Sequence, residues 1–242
     1  MRAIVLNAGY GTRLYPLTLN FPKGLLQVGK KTICDHILSR IREIGIQEVY
    51  LVTNSRFYPK FKEWGEDKGV KVFDDGTDSP DNRLGAIRDI EWVLERVPLD
   101  DYLVLAGDNL FTFSLKGLKE EFEKRGRECF IAGVLRIPDK ERIKQYGVVK
   151  TDGEGKILEF KEKPSRPFSD LASIGIYLFP GEKTSLVKRY LEEGNNPDAP
   201  GYFLEWLIKK EPVYAYIFEG KWYDIGTFET LEEARKVFSE GG

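Results

Sequence analysis

The chain has 242 residues, of which 41% are hydrophobic and 13% aromatic, enough for one large domain or two small ones with a sizeable core. Its net charge is −2 and it has no long basic run, which argues against general nucleic-acid binding but not against a small anionic substrate. No run of 18 apolar residues is present and the N-terminus does not resemble a signal peptide, so we expect a cytoplasmic protein without membrane partners.

Strand and helix patterns alternate along the first half of the chain. The predicted strands are residues 3–6, 25–28, 48–53, 70–73 and 101–106. Thr32 is a candidate N-cap for a helix that runs through Ile44, and further helices are predicted at 57–68, 84–97 and 115–125. This alternation indicates an α/β fold with a mostly parallel sheet covered by helices, in which ligands bind beyond the carboxyl ends of the strands.

The second half is richer in strands. Residues 128–136, 173–179 and 213–218 read as strands, and 147–151 with 156–160 read as a hairpin. The predicted helices are residues 183–193, 202–210 and 228–238. No internal repeat or low-complexity linker separates the halves, so we expect one domain over 1–242 with a β-rich lobe.

The loop at residues 9–23 has the composition of an anion site. Gly9 and Gly11 let the backbone approach a ligand, and successive N–H groups in such a loop attract anions. Arg13 and Lys23 add positive charge. A dinucleotide fingerprint is excluded because Leu14 takes the place of its third glycine, and the near match to a Walker A loop at 24–31 ends in lysine instead of Ser or Thr.

Thiol and metal chemistry have few candidate residues. Cys34, Cys129 and the one histidine, His36, cannot form a four-ligand zinc site of the usual kind. We expect both thiols to be buried, on a helix and a strand respectively, and His36 to have a structural role in its helix.

Six separated segments, in order, resemble the sugar nucleotidyltransferase signature. The first reads Leu-Asn-Ala-Gly-Tyr-Gly-Thr-Arg-Leu-Tyr-Pro at 6–16, with Pro-Lys at 22–23. The others are Leu-Ala-Gly-Asp-Asn at 105–109, Tyr-Gly-Val-Val at 146–149, Phe-Lys-Glu-Lys-Pro at 160–164, Ser-Ile-Gly-Ile-Tyr-Leu-Phe at 173–179 and Trp-Tyr-Asp-Ile-Gly-Thr at 222–227. The resemblance covers about residues 2–238 and is nearest to glucose-1-phosphate thymidylyl- and uridylyltransferases.

The resemblance implies a three-layer αβα Rossmann-like sandwich with a mixed, mostly parallel central sheet and a small β-rich sugar-binding lobe. It implies a nucleotide-binding half at about 1–127 and a sugar-phosphate-binding half at about 128–242. It also implies that a sugar-1-phosphate, with glucose-1-phosphate favoured, attacks the α-phosphorus of a nucleoside triphosphate, with dTTP or UTP favoured. Such chemistry needs positioning, charge neutralisation and Mg²⁺ more than a protein nucleophile. The product would serve polysaccharide biosynthesis, and homo-oligomers are common in the family.

The resemblance also assigns roles to individual residues. Arg13, Lys23, Asp108 and Asp224 are expected to be catalytic, and the two aspartates would hold Mg²⁺. The expected nucleotide-binding residues are Leu6, Ala8, Gly9, Gly11, Thr12, Arg13, Asn82 and Gly85. The expected sugar-phosphate-binding residues are Tyr146, Gly147, Glu162, Lys163, Gly175 and Trp222.

Four departures from the family pattern bear on the substrates. Asn7 replaces the usual alanine, Gly24 follows the Pro-Lys pair, and Ser173 replaces an asparagine that helps to bind the sugar. Asn82 and Arg83 stand where relatives carry a base-reading glutamine, so the amide of Asn82 is a candidate reader of the base.

These departures leave two alternatives. One is a cytidylyltransferase that uses CTP and phosphocholine, an inositol phosphate or another sugar phosphate. The other is a non-catalytic subunit that senses nucleotides, against which the intact charged residues argue.

Overall fold

The computed structural model describes residues 1–239 of the chain. Contacts divide the chain into two compact units. The first unit contains Arg2–Arg83, Leu105–Leu115 and residues 220–239, and the second contains Met1, Leu84–Val104 and Lys116–Glu219. Among residues 1–239, no helix has the length and apolar character needed to cross a lipid bilayer.

Strands and helices alternate through most of the chain. The strands are β1 Arg2–Asn7, β2 Gln27–Val28, β3 Lys31–Thr32, β4 Val49–Thr53, β5 Val70–Asp74, β6 Tyr102–Ala106, β7 Asn109–Phe111, β8 Phe130–Arg136, β9 Gly147–Thr151, β10 Ile157–Glu162, β11 Leu171–Phe179, β12 Val213–Ile217 and β13 Trp222–Asp224. The helices are α1 Ile33–Glu43, α2 Tyr58–Glu66, α3 Ala86–Leu94, α4 Lys116–Lys124, α5 Lys140–Ile143, α6 Ser185–Glu192, α7 Pro200–Leu207 and α8 Phe228–Ser239.

Parallel strands organise the first unit. β1 pairs in parallel with β4, and β4 with β5. All five residues of β4 are buried, as expected for a strand that is covered on both faces. The backbone N–H of Gly107 donates to the carbonyl of Leu6 at 2.9 Å. The segment that follows β6 therefore lies beside the end of β1, where the glycine loop begins.

The local sequence of α1 specifies where this helix begins and ends. Thr32 Oγ1 accepts from the backbone N–H of Asp35 at 3.1 Å, and Asp35 Oδ2 accepts from that of Thr32 at 2.9 Å. This reciprocal capping satisfies two donors that the first turn would otherwise leave without partners. Gly45 ends the helix with a φ of +81°, a conformation that glycine adopts without strain. The predicted N-cap, Thr32, is confirmed.

The second unit is built around β8. This strand pairs antiparallel with β11 and parallel with β12, while β9 and β10 form the predicted hairpin. The pairing of β11 with β8 is irregular between Ser173 and Tyr177, and Gly175 within that stretch has a φ of +72°. Aromatic rings fill the space under the sheet, where Phe203 of α7 packs against Phe130 and Phe179.

The predicted class, a mixed and mostly parallel sheet flanked by helices, is confirmed. Most predicted elements are present, but several helices are shorter than their patterns because the terminal residues serve as caps or tight turns. The strand predicted at 25–28 covers only 27–28, since 23–25 form a 3₁₀ turn. The short elements β3, β7, α5 and β13 were not predicted.

The cysteine and histidine predictions have mixed outcomes. Cys34 is buried in α1, but Cys129 is only half-buried and precedes β8, so its predicted burial in a strand is wrong. His36 is structural as predicted, because its Nε2 lies 2.9 Å from the carbonyl oxygen of Val28 and its ring packs edge-on against Phe238.

Candidate active site

The glycine loop after β1 keeps its shape through a glycine and a threonine. Gly11 has a φ of +62°, and a Cβ at this position would come within 3.3 Å of Thr18. Thr18 Oγ1 donates to the carbonyl of Gly11 at 2.7 Å, which holds the turn. Nothing lies within 4 Å of the Cβ position of Gly9. The backbone at Gly9 is therefore open to a ligand, as the sequence predicts.

A cavity of about 200 Å³ opens beside this loop in the first unit. Its lining residues are Gly9, Tyr10, Gly11, Thr12, Arg13, Leu14, Lys23, Pro80, Arg83 and Gly226. Arg13 Nη2 lies 3.0 Å from the position that a Cβ on Gly226 would take, so the glycine leaves room for the guanidinium. Cationic side chains thus meet glycine backbone in one cavity, an arrangement suited to a phosphate group.

Lys23 and Asp108 come together although they are distant in sequence. Lys23 Nζ donates to Asp108 Oδ2 at 2.5 Å, and both side chains are largely shielded from solvent. Asp224 lies on the strand next to Asp108: β13 pairs with β7, and the N–H of Ile225 donates to the carbonyl of Asp108 at 3.0 Å. The fold therefore places the two aspartates, 116 positions apart, on neighbouring segments.

This pair of carboxylates suits one kind of metal. Within residues 1–239, no group of three or more His, Cys, Asp or Glu side chains is placed to hold an ion. Zinc centres generally need three or four such ligands, whereas Mg²⁺ is commonly held by one or two carboxylates together with phosphates and water. Asp108 and Asp224 match the second pattern.

Asn7 explains two glycines near the site. A Cβ on Gly24 would lie 2.4 Å from Asn7 Oδ1, and one on Gly107 would lie 2.0 Å from Asn7 Nδ2. Asn7 Nδ2 also lies 3.5 Å from the Cys34 sulfur. Burial raises the pKa of that thiol well above its ordinary value. The departures at positions 7 and 24 are thus one packing solution, in which the larger side chain occupies space that glycines leave empty.

The two predicted nucleotide-binding residues that flank β1's end have structural contacts. Leu6 is half-buried in β1 and accepts the N–H of Gly107, and buried Ala8 accepts a hydrogen bond from Asn54 Nδ2 at 3.0 Å. Both stabilise the strand end from which the glycine loop emerges.

Asn82, the predicted base reader, bonds within its own turn. Its Oδ1 accepts from the N–H groups of Asp78 and Ser79 at 3.3 and 3.1 Å, and its Nδ2 donates to Asp78 Oδ1 at 2.9 Å. Gly85 belongs to the second unit and has a φ of +91°. A Cβ there would lie 2.6 Å from the carbonyl oxygen of Pro197, so local packing alone requires glycine.

Glu162, in the second unit, is enclosed by two glycines. Its Oε2 would lie 3.0 Å from a Cβ on Gly147 and 1.7 Å from one on Gly201. Burial raises the pKa of the Glu162 carboxyl; the charge of Lys163 opposes this rise and that of Glu205 adds to it. Glu205 Oε1 also accepts the backbone N–H of Glu162 at 2.5 Å. Gly201 and Glu205 were missed from the sequence because they lie outside the matching segments.

The remaining predicted sugar-site residues fall in both units. Lys163 follows β10 with a φ of +45°, and its N–H donates to the carbonyl of Tyr146 at 3.1 Å. Gly175 lies at the irregularity of β11, near the 3.1 Å contact between the Ser173 and Tyr177 hydroxyls. Trp222 belongs to the first unit, where it is buried and pairs with Phe111. The structure brings Tyr146, Gly147, Glu162 and Lys163 together within the second unit.

The first unit also contains a larger cavity of about 630 Å³. It lies between α1, the turn at 30–31, β7 and the end of α8, and it shares no lining residue with the glycine-loop cavity. Volume alone therefore does not identify the predicted site. Glycine residues line the smaller of these two cavities but not the larger one.

Comparisons with known proteins agree with the fold. A sequence model described as nucleotidyl transferase matches residues 2–240. A provisionally named glucose-1-phosphate thymidylyltransferase of Bacillus anthracis, solved with sucrose, is 24% identical with a TM-score of 0.86, covering 100% of this chain and 96% of the other. A UDP-glucose pyrophosphorylase solved with UDP-glucose is 22% identical with a TM-score of 0.84, covering 100% and 99%. An apo UDP-glucose pyrophosphorylase is 21% identical with a TM-score of 0.82, covering 99% and 98%.

Proposed function

The chain belongs to the nucleotidyl transferase family, and we propose that it couples a nucleoside triphosphate to a sugar-1-phosphate with release of pyrophosphate. The observation that carries the proposal is the contact of Lys23 with Asp108, beside the strand that holds Asp224 and in the same unit as the glycine loop. Cationic, carboxylate and backbone N–H groups are the set that phosphoryl transfer requires.

In this reaction a phosphate oxygen of the sugar-1-phosphate attacks the α-phosphorus, and the bond from that phosphorus to the pyrophosphate oxygen breaks. Arg13 and Lys23 would neutralise charge on the triphosphate and on the departing pyrophosphate. The backbone of Gly9, Gly11 and Thr12 would hold the phosphates in place. Asp108 and Asp224 would hold Mg²⁺, which supplies further charge neutralisation when bound.

The second unit would bind the acceptor. Glu162 is a half-buried acceptor that lies against Gly147 and Gly201, which suits the hydroxyls of a sugar. Lys163, next along the chain, would bind the sugar phosphate. The backbone bond from Lys163 to Tyr146 ties these two segments of the site together.

We favour dTTP or UTP and glucose-1-phosphate, the substrates suggested by the names of the structurally similar proteins. A CTP-dependent reaction on phosphocholine or an inositol phosphate is the second candidate. It rests on the departure from the glutamine pattern at Asn82, whose amide bonds within its own turn. We also propose a cytoplasmic enzyme of nucleotide-sugar synthesis that forms homo-oligomers.

The test is a matrix of four NTPs against sugar phosphates and the alternative acceptors, with pyrophosphate as the readout. We expect turnover that stops with EDTA and returns with Mg²⁺. Asp108→Asn should reduce kcat by about 10²–10³-fold, since it removes a charge and leaves the size unchanged. The control is Asp67→Asn, at an exposed position at the end of α2, and this variant should keep the wild-type kcat. Nucleotide binding without turnover of any acceptor would support the nucleotide-sensing alternative and reject catalysis.

A further inference from the structure

Arg83, the residue after Asn82, lies at the glycine-loop cavity. Asn82 closes a tight turn at Pro80–Asn82, in which its side chain bonds to Asp78 and Ser79. Pro80, the first residue of that turn, and Arg83, which directly follows it, both line the glycine-loop cavity. The turn that engages the Asn82 amide therefore leads straight into a residue of the cavity wall, Arg83.

A buried chain of hydrogen bonds fixes the start of the same loop to the glycine loop. The Thr77 N–H and hydroxyl both donate to Asp75 Oδ1, at 2.7 and 2.8 Å. Because that hydroxyl donates its proton to Asp75, the Tyr10 hydroxyl, 3.1 Å away, must donate to Thr77. Tyr10 lies between Gly9 and Gly11, so the two loops are held together as one wall of the cavity.

We propose that Arg83 is a third cation of the triphosphate site, alongside Arg13 and Lys23, and that it grips phosphate oxygens of the nucleotide. The inference rests on the proposed function. A guanidinium has only donors, arranged in a planar fork that matches phosphate oxygens, and it shares its cavity with two other cations and with glycine backbone. A triphosphate can satisfy all of these groups at once. The sequence resemblance assigns this role to Arg13 and Lys23 alone.

The alternative for Arg83 is contact with the base. An arginine could donate two hydrogen bonds to a base that presents two adjacent acceptors, as cytosine and guanine do. It could not bond to the ring N–H of uracil or thymine, because that group is itself a donor. Loss of a phosphate contact lowers kcat/KM for all nucleotides by the same factor. Loss of a base contact changes the ratios of kcat/KM between the nucleotides. These two outcomes separate the roles.

The experiment measures inorganic tripolyphosphate binding by calorimetry, and kcat/KM for all four NTPs, in the full-length protein. We expect Arg83→Ala to weaken tripolyphosphate binding and to lower each kcat/KM by the same factor, roughly 10- to 150-fold, the worth of a lost charge-assisted hydrogen bond. Arg83→Lys should recover part of the loss. Arg88→Ala, an exposed arginine on α3 that does not line this cavity, is the control and should change neither quantity.

Three outcomes would overturn the proposal: wild-type protein that does not bind tripolyphosphate, unchanged binding in Arg83→Ala, or a tenfold change in the ratio between NTPs. Because tripolyphosphate binding needs no turnover, the Arg83 proposal is tested even if no NTP reacts. Failure of the proposed function, with no pyrophosphate from any pair of substrates, is therefore distinguishable from failure of the inference.

Discussion

Adding one methyl group at Gly201 should disable the acceptor site while leaving the fold intact. A Cβ there would lie 1.7 Å from Glu162 Oε2 and 2.7 Å from its Cδ. Ordinary contacts begin at 3.4 Å, so the carboxylate must retreat by about 1.7 Å. It can do so by rotating, because it is the end of a flexible side chain. The methyl group itself favours helix α7, since alanine is a better helix former than glycine by about 1 kcal/mol.

We therefore expect Gly201→Ala to keep its melting temperature and to lose about 10²-fold in kcat/KM for the sugar phosphate, because a 1 Å shift in how a substrate is positioned can cost that much. The KM for the nucleotide should not change. Gly153→Ala is the matched control, because nothing lies within 4 Å of that Cβ position. Full activity in Gly201→Ala would show that the position of Glu162 does not matter for acceptor binding, and the reasoning would fail.

Two further predictions concern pH and capping. The pKa of Glu162 is raised by burial, against the charge of Lys163, so folding stability falls as pH rises from the ordinary glutamate value through the raised one. Glu162→Gln should then be more stable than wild type at neutral pH in urea titrations. It should also lose the acidic limb of the pH profile of kcat/KM, and an unchanged limb would refute the assignment of that limb to Glu162. Thr32→Ala should lower the free energy of unfolding by about 1 kcal/mol, because it removes the N-cap of α1. No loss in urea denaturation would contradict the capping argument.

Local sequence predicts local geometry well in this chain. The capping of α1 depends on Thr32, Asp35 and Gly45, all within fourteen positions, and each residue type has a direct physical reason for its place. The glycine loop is similar, because its turn requires a left-handed backbone conformation at position 11, and glycine adopts this conformation without strain. β7 was missed because it has only three residues, too few to show a period, and it forms only by pairing with β13 far along the chain.

Residues that act over long sequence separations needed the fold. No spacing rule connects Lys23 with Asp108, or Asp108 with Asp224, and the resemblance alone suggested that they meet. Glu205 contacts the backbone of Glu162 from a helix with no recognised motif, so nothing in the sequence singled it out. The role of Asn82 in reading the base stays a prediction: the residue type suits base recognition, and the structure adds that its amide bonds to Asp78 and Ser79 within its own turn.

Glycines inside and outside the matching segments have a role that a motif search does not reveal. Gly24 and Gly107 leave space for the side chain of Asn7, and Gly147 and Gly201 leave space for that of Glu162. Each pair comes from segments that are distant in sequence, so each polar side chain is positioned by backbone that only folding brings near. A glycine beside a candidate site thus need not touch a ligand: it can fix the side chain that does. A glycine in a matching segment is therefore weak evidence for ligand contact until the side chain that fills its space is known.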